Sequence, residues 1–325
     1  MVESKHKWKA WLYLSPAIVL LLVFTAWPII NTIRMAFTNG YDQASSIGGT
    51  TYQIGIQNFI NVVTYSGFLR ALKNTLLLTL ITVPISTLLA LLIAVCLNSI
   101  KPLQRFLQTV FFLPYVTNSI AIGMVFAAMF NIIGTASPEA LADWANPESG
   151  VTSIGIVNSV INFFGGTPIN WINSGSGEVA NYVVVVIYIV WNALPFKILV
   201  LLGGLQSVNK QYYDAAKVDG TRRSRVFTRI TVPLLSPMIA YVVITGFIGG
   251  FKEYSSIVGI FGDDMGPGAV PGSQNIGQMG TMVGYIYKAL EKKQGQASAA
   301  AIILFLIIFV VTLINLYVSK KKTHY

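Results

Sequence analysis

The chain has 325 residues, of which 54% are hydrophobic and only 10% are charged. Because soluble domains carry about 25% charged residues, this composition excludes an ordinary soluble domain and indicates a protein of the lipid bilayer. The net charge is +10, but Lys and Arg occur in short clusters between apolar segments. That distribution argues against nucleic-acid binding and is typical of charges that orient a membrane protein.

Six apolar stretches are each long enough for a helix that crosses a membrane, which needs about 20 residues. In chain order the predicted spans are 12–33, 72–97, 107–133, 179–202, 233–257 and 297–318. The first could also be a signal peptide, but it is too long for one and has no small-residue cleavage site, which favours a retained helix. The sequence predicts an all-α, polytopic helical bundle that forms one transmembrane domain over residues 1–325.

The charged residues predict how these spans are oriented. Basic clusters precede the first span and follow the second, the fourth and the sixth. The connection 134–178 contains four acidic residues and no Lys or Arg. Since basic loops stay in the cytoplasm, we expect both termini to be cytoplasmic. Lys288, Lys292 and Lys293 would then be external, which is the weakest point of the scheme.

The common catalytic motifs do not occur in the sequence. It has no glycine-rich phosphate loop, no serine nucleophile elbow and no His or Cys cluster with metal-ligand spacing. The two histidines, His6 and His324, lie in the tails, and a single cysteine, Cys96, permits no internal disulfide. We therefore expect a chain that is not an enzyme and that itself binds no cofactor and no metal.

The segment 203–232, which we call the elbow, is polar and basic although it joins two apolar spans. Asn209 is a candidate helix N-cap, Ala215 and Ala216 are predicted to share one face with Val218, and Gly220 is expected to end this helix. After it, Val226, Phe227 and Ile230 recur at helical spacing while the arginines face elsewhere, and Pro233 is expected to open the fifth span. A plain basic loop attracted to anionic lipid is the alternative.

The elbow resembles the signature of permease subunits of bacterial binding-protein-dependent ABC importers. That signature is Glu-Ala-Ala, three residues, Gly, nine residues and Ile-x-Leu-Pro. Here Asp214-Ala215-Ala216 stands three residues before Gly220, and Ile230-Thr231-Val232-Pro233 follows after nine more. Asp214 replaces the glutamate and Val232 the leucine. Runs such as Phe111-Phe112-Leu113-Pro114-Tyr115-Val116 are similar to the sugar-permease branch of the maltose-transporter type.

The resemblance implies a permease subunit of an ATP-driven importer in a bacterial cytoplasmic membrane, with a carbohydrate, expected to be an oligosaccharide, as cargo. It implies a second homologous permease, two ATPase subunits that hold ATP and Mg, and an extracytoplasmic solute-binding protein. In the family, the elbow contains a coupling helix that sits in a cleft of the ATPase. The residues implied in this coupling are Asp214, Ala215, Ala216, Asp219, Gly220, Arg222, Arg223, Phe227, Ile230 and Pro233.

Polar and aromatic side chains within the spans are candidates for cargo contact, because polar groups in a bilayer usually face a cavity or another helix. A sugar site combines hydrogen-bonding groups with an aromatic ring. The candidates are Asn118, Tyr188, Trp191, Asn192, Glu253 and Tyr254. Each could instead be an interfacial anchor or join two helices. A secondary transporter or channel without ATPase partners is the alternative function, and a membrane receptor or scaffold is a third.

Overall fold

The computed structural model describes residues 7–42, 52–100, 104–268 and 276–322. His6, His324 and Lys101 lie outside these ranges. The described chain is mostly helical and forms two compact units, one of residues up to 65 with 286–303 and one of residues 66–285 with 304 onwards. The single domain predicted over residues 1–325 stays a prediction.

The first unit begins with one long, exposed apolar rod. Its helices α1 (Lys7–Leu21) and α2 (Trp27–Ala36) are joined by a single π-helical turn. Helix α3 (Gln57–Thr64) then supplies the buried Asn58, whose amide donates to the carbonyls of Ala36 (3.1 Å) and Thr38 (2.7 Å). This one side chain therefore fixes the end of the rod to the following helix.

The second unit begins with helix α4 (Ser66–Ser99), which has a buried polar stripe. Hydroxyls of this stripe donate to carbonyls of the preceding turn, as Thr82 does to Leu78 (2.7 Å) and Thr87 to Val83 (2.7 Å). In a bilayer such bonds satisfy hydroxyl groups that have no water, and a polar stripe faces other helices and not lipid. Pro84 lies in the middle of α4.

The third predicted span, 107–133, is not one continuous helix. Helix α5 (Gln104–Val116) and helix α6 (Ser119–Phe130) meet at 97°. Pro114 lies in the last turn of α5, and Asn118 is extended and caps α6 by accepting from the Ile120 amide (2.9 Å). In a continuous helix the first N–H groups of α6 would donate to carbonyls of the preceding turn, and here the Asn118 side chain accepts from them instead. The break therefore leaves few backbone groups without a hydrogen bond.

A small region with short helices and strands follows α6, and it contains the two described strands. Strand β1 (Ile133–Gly134) pairs antiparallel with β2 (Val151–Ser153), an exception to the all-α prediction. Helix α7 (Pro138–Ala142) lies between the strands, and helix α8 (Gly155–Phe163) follows them. The buried Asn158 accepts from the Trp171 indole (2.9 Å) and bonds Ile169 through both of its amide atoms.

Helix α9 (Glu178–Ser207) packs along α4 and forms the core of the second unit with it. It is followed by α10 (Gln211–Val218), α11 (Arg223–Val226), a π-helical turn and α12 (Val232–Leu234). The chain then bends by 68° into α13 (Ser236–Phe251). The buried core cluster comprises Ala90, Leu91, Ala94, Leu97, Ile198, Leu201, Leu202, Leu205, Leu235 and Val242.

The helix bounds differ from those of the fifth predicted span, 233–257, at both ends. Pro233 lies before the 68° bend, and Pro237 is the proline in the first turn of α13. At the other end α13 stops at Phe251, and a separate helix α14 (Ser255–Phe261) begins after a break at residues 252–254. Proline in the first turn replaces an N–H that would have no partner, so either proline could have opened the helix.

The remaining helices are α15 (Met282–Leu290) and α16 (Gln294–Lys322). By length and composition, the described residues contain four helices that could each cross a membrane, or up to six if each bent pair is one span. The chain is thus a polytopic helical membrane protein.

Where α6 crosses α14, a Cβ on Gly123 would lie 2.7 Å from the Gly259 Cα, so the two backbones touch directly.

Replacing Asn74 by alanine is expected to destabilise the second unit. The Asn74 amide donates to the carbonyls of Gln278 (2.8 Å) and Gly280 (2.9 Å), and its oxygen accepts from the Tyr182 hydroxyl (2.6 Å). Unpaired buried polar groups cost about 1–3 kcal/mol each, so the thermal unfolding midpoint in detergent should fall clearly. Asn61→Ala, at an exposed position, is the control. Equal midpoints for both variants would contradict the role of Asn74.

Candidate functional site

The elbow turns at Gly220, as the sequence predicts. Helix α10 ends at Val218, and Gly220 takes a positive φ of 62°. The amide of Gly220 donates to the Lys217 carbonyl (3.1 Å) and that of Thr221 to the Ala216 carbonyl (2.9 Å). A left-handed glycine after the last helical turn is the usual way to close a helix. At the other end the Asn209 side chain accepts from the Gln211 amide (3.0 Å), but the N-cap position of the helix is taken by Lys210 and not, as predicted, by Asn209.

The two alanines of α10 lie on different faces, which corrects the prediction that they share one. Ala216 is 5% exposed and borders a groove of about 620 Å³ together with Asn98 at the end of α4. Ala215 is exposed, and Val218 is 88% exposed. The outward surface of α10 is therefore formed by Ala215, Val218 and the exposed Tyr212, while Ala216 faces the rest of the chain.

The second half of the elbow also has an inner and an outer side. Phe227 is partly buried and packs against the core cluster, and Ile230 is partly buried as well. A shallow pocket with a volume of about 460 Å³ lies at the turn itself. It is lined by Asp219, Gly220, Thr221, Arg222, Ser224 and Arg225. Exposed arginines thus surround the turn, while Phe227 supports the elbow from within its own chain.

The remaining predicted coupling residues are also exposed or lie at the edge of the elbow. The Asp214 carboxylate lies 3.6 Å from the Lys217 ammonium one turn later, a surface pair that contributes little to stability. Arg223 opens α11 and is exposed, and Pro233 lies in α12. The Tyr213 hydroxyl donates to the Thr231 hydroxyl (3.4 Å), which joins the two halves of the elbow.

A second concave site lies among α4, α5, α9 and α13. This cavity has a volume of about 280 Å³ and combines polar groups with a pair of stacked rings, Tyr115 and Phe196, whose centroids are 5.9 Å apart. Three glycines of α13 leave one wall without side chains. The residues of the cavity wall are Thr82, Val83, Ser86, Tyr115, Ile189, Asn192, Ala193, Phe196, Lys197, Thr245, Gly246, Gly249, Gly250 and Glu253.

Two of the six predicted cargo residues, Asn192 and Glu253, line this cavity. A Glu253 oxygen also accepts from the Ser256 amide (3.1 Å) in the first turn of α14. Tyr254, which immediately precedes α14, is partly buried and is not one of the residues that line the cavity.

The other three predicted cargo residues have structural contacts. Tyr188 is 0% exposed, and its hydroxyl donates to the Ser119 carbonyl beside the break between α5 and α6. Trp191 packs its ring 5.4 Å from that of Phe126, and Asn118 caps α6. Tyr188 and Trp191 thus secure the bent helix pair to α9, which is the interhelical role considered as the alternative for these residues, and Asn118 stabilises the start of α6.

Lys197 is the residue of the cavity that sequence reasoning missed. It lies five residues before the end of the predicted span 179–202, but α9 continues to Ser207 and Lys197 is 4% exposed. Its ammonium donates to the hydroxyls of Ser86 (2.7 Å) and Thr87 (3.0 Å) on α4. A lysine within an apolar helix is itself the signal that could have identified it, since ionisable groups inside a membrane are usually functional.

Residues 86–324 match the model of a protein family described as "binding-protein-dependent transport system inner membrane component". The chain belongs to this family. This membership confirms the predicted class, a non-catalytic membrane subunit of a binding-protein-dependent ABC transport system in a bacterial inner membrane. The matched region includes both the elbow and every residue of the cavity except Thr82 and Val83.

Individual known proteins match nearly the whole chain. An arabinooligosaccharide transport permease of Bacillus subtilis, AraP, is 29% identical over 95% of this chain and 88% of its own length. The lactose transport system permease protein LacF of Rhizobium radiobacter is 26% identical over 96% of this chain and 94% of its own length. A bacterial ABC transporter for import of the acidic polysaccharide alginate has the same fold, with a TM-score of 0.75 and 21% identity over 98% of both chains.

Proposed function

We propose that this chain is one permease subunit of an ATP-driven importer for an oligosaccharide. The observation that carries the proposal is the set of family members matched along almost the whole chain, which include transporters of arabinooligosaccharides, lactose and multiple sugars. The composition of the cavity supports it as well. Amide, carboxylate and hydroxyl groups can bond sugar hydroxyls there, and the ring of Tyr115 or Phe196 can stack on a sugar face.

The complete importer contains a second homologous permease, two ATPase subunits and an extracytoplasmic solute-binding protein. The permease crosses the membrane six times, with each bent helix pair counted as one span and both termini in the cytoplasm. It holds no cofactor of its own, because ATP and Mg bind to the ATPase subunits. This arrangement accounts for the exposed surface of α10 and for the arginines around Gly220, which become contacts to an ATPase subunit.

In this proposal the elbow transmits the closure of the ATPase dimer to the cavity. Ala216 faces the groove beside the end of α4, and Phe227 packs on the core cluster to which α4 contributes. A push on the outer surface of the elbow therefore reaches α4 through Phe227 and the core cluster, and it reaches α13 through α12 and the 68° bend. Because both helices line the cavity, ATP and loaded binding protein can each favour one of two states of the cavity.

Reconstitution of the complex in proteoliposomes tests the proposal. We expect uptake of a labelled oligosaccharide mixture that requires internal ATP, the binding protein and active ATPase subunits. The control contains ATPase subunits with an inactivated nucleotide site, and it should show no uptake. Equal uptake with and without ATPase subunits would contradict the proposal and support a secondary transporter or a channel.

A further inference from the structure

Lys197 is a buried cation within the cavity wall. Its ammonium donates to Ser86 Oγ (2.7 Å), Thr87 Oγ1 (3.0 Å) and the carbonyl oxygen of Val83 (3.3 Å), all on α4. Gly246 of α13 also approaches the ammonium, because a Cβ there would lie 3.2 Å from Nζ. The lysine is therefore held at one place in the cavity by α4 and by the absence of a side chain on α13.

All three acceptors of this ammonium are neutral. Among the described residues, no carboxylate lies within 4 Å of the Lys197 Nζ. The carboxylate in the cavity wall belongs to Glu253, and one of its oxygens accepts from the Ser256 amide at the start of α14. Although Glu253 lines the same cavity, Lys197 forms no ion pair with it or with any other carboxylate of the described residues.

A buried cation without an anion is costly, because neutral acceptors replace only part of the water that it loses. A methionine or leucine at this position would fill the same space in an apolar helix at no such cost. The cost is offset if an anion enters the cavity during transport. The longest of the three bonds is the one to the Val83 carbonyl, which also accepts from the Thr87 hydroxyl (2.7 Å). Lys197 can therefore turn one N–H towards an incoming anion without leaving that carbonyl unpaired.

We propose that Lys197 selects a saccharide that carries an anionic group, such as an oligosaccharide containing uronic acid. The inference rests on the proposed function and specifies its cargo class. The acidic group lies beside Lys197, and neutral hydroxyls of the cargo lie beside the amide of Asn192 and the carboxyl group of Glu253, which can bond them.

The test compares labelled oligogalacturonides with their neutral methyl esters of equal length, imported by the complete complex with its cognate binding protein. We expect the parental complex to prefer the acid. In Lys197→Gln the ratio of acid to ester uptake should fall by about tenfold or more, because a hydrogen bond to a charged group is worth at least that factor. Lys197→Arg should retain part of the preference, because it keeps the charge. The binding protein is the same throughout, so the change in ratio isolates Lys197.

Lys73→Gln is the matched control, since Lys73 is exposed and its ammonium pairs with Glu178 at 3.4 Å; the ratio should not change. Equal loss of acid and ester uptake in an assembled Lys197→Gln complex would make the lysine a purely structural residue and overturn the proposal. Import of the ester but not the acid by the parental complex would refute the anionic cargo and leave the importer intact. If neither compound is taken up by a complex that imports another labelled oligosaccharide, the anionic cargo is refuted and the proposed function stands. If the complex imports no labelled oligosaccharide in an ATP-dependent way, both the proposed function and this inference are refuted.

Discussion

Replacing Gly220 by valine is expected to abolish ATP-driven uptake while the protein remains in the membrane. Gly220 has a φ of 62°, which a β-branched residue adopts only at a cost of about 1–3 kcal/mol. A Cβ at this position would meet no atom of the chain within 4 Å, so the damage does not come from a clash within the chain. It comes from a changed turn, which moves the arginines and α11 relative to α10.

Gly220→Asn is the matched control, because asparagine tolerates the left-handed conformation better than other residues with a side chain. We expect it to keep a substantial part of the uptake, whereas Gly220→Val should have none. Uptake and ATP hydrolysis by reconstituted complexes measure the effect, and immunoblots of membranes establish equal amounts of protein. Parental uptake by the valine variant would refute the coupling role of the elbow.

Replacing Gly249 by leucine is expected to reduce uptake severely without unfolding the protein. Gly249 lines the cavity, and a Cβ there would meet no atom within 4 Å. The leucine side chain can therefore extend into the 280 Å³ of the cavity and take the place of cargo. Leucine also favours a helix more than glycine does, so α13 itself should not be weakened.

Gly203→Leu is the control for this substitution, since Gly203 is an exposed position of α9 that also has no atom within 4 Å of a Cβ. Initial uptake rates and thermal unfolding midpoints should be measured for both variants. We expect similar midpoints, near-parental uptake for Gly203→Leu and a loss of about tenfold or more for Gly249→Leu, as for the loss of one good contact. Equal uptake by the two variants would mean that cargo does not pass through this cavity.

Hydropathy was sufficient to predict the long helices, because each needs an apolar surface that is visible in its own residues. It was not sufficient for the bent pairs. The break before α6 depends on Pro114 and on a cap by Asn118, and the start of α13 depends on which of two prolines, Pro233 or Pro237, follows the bend. Such choices are made by packing against other helices, which a local pattern does not contain.

The elbow and the cavity were predictable to different degrees. The turn at Gly220 follows from local chemistry and was predicted correctly. Which alanine of α10 is buried depends on the end of α4, more than one hundred residues earlier in the chain. Lys197 likewise acquires its role from Ser86 and Thr87, which also lie on α4. The sequence indicated an elbow and polar spans, but it could not indicate which groups meet.

Helix α4 makes three contacts that lie far apart along its length. Near its start, Asn74 bonds the Gln278 carbonyl. In its middle are the hydroxyls that bond Lys197, and its last turn borders the groove beside Ala216. At 1.5 Å per residue its 34 residues extend about 50 Å. Pro84 removes one backbone hydrogen bond close to the lysine. In the proposed importer, a tilt of α4 at either end would be accommodated most easily at this proline, so that one helix links the arrival of cargo on one side of the membrane to nucleotide turnover on the other.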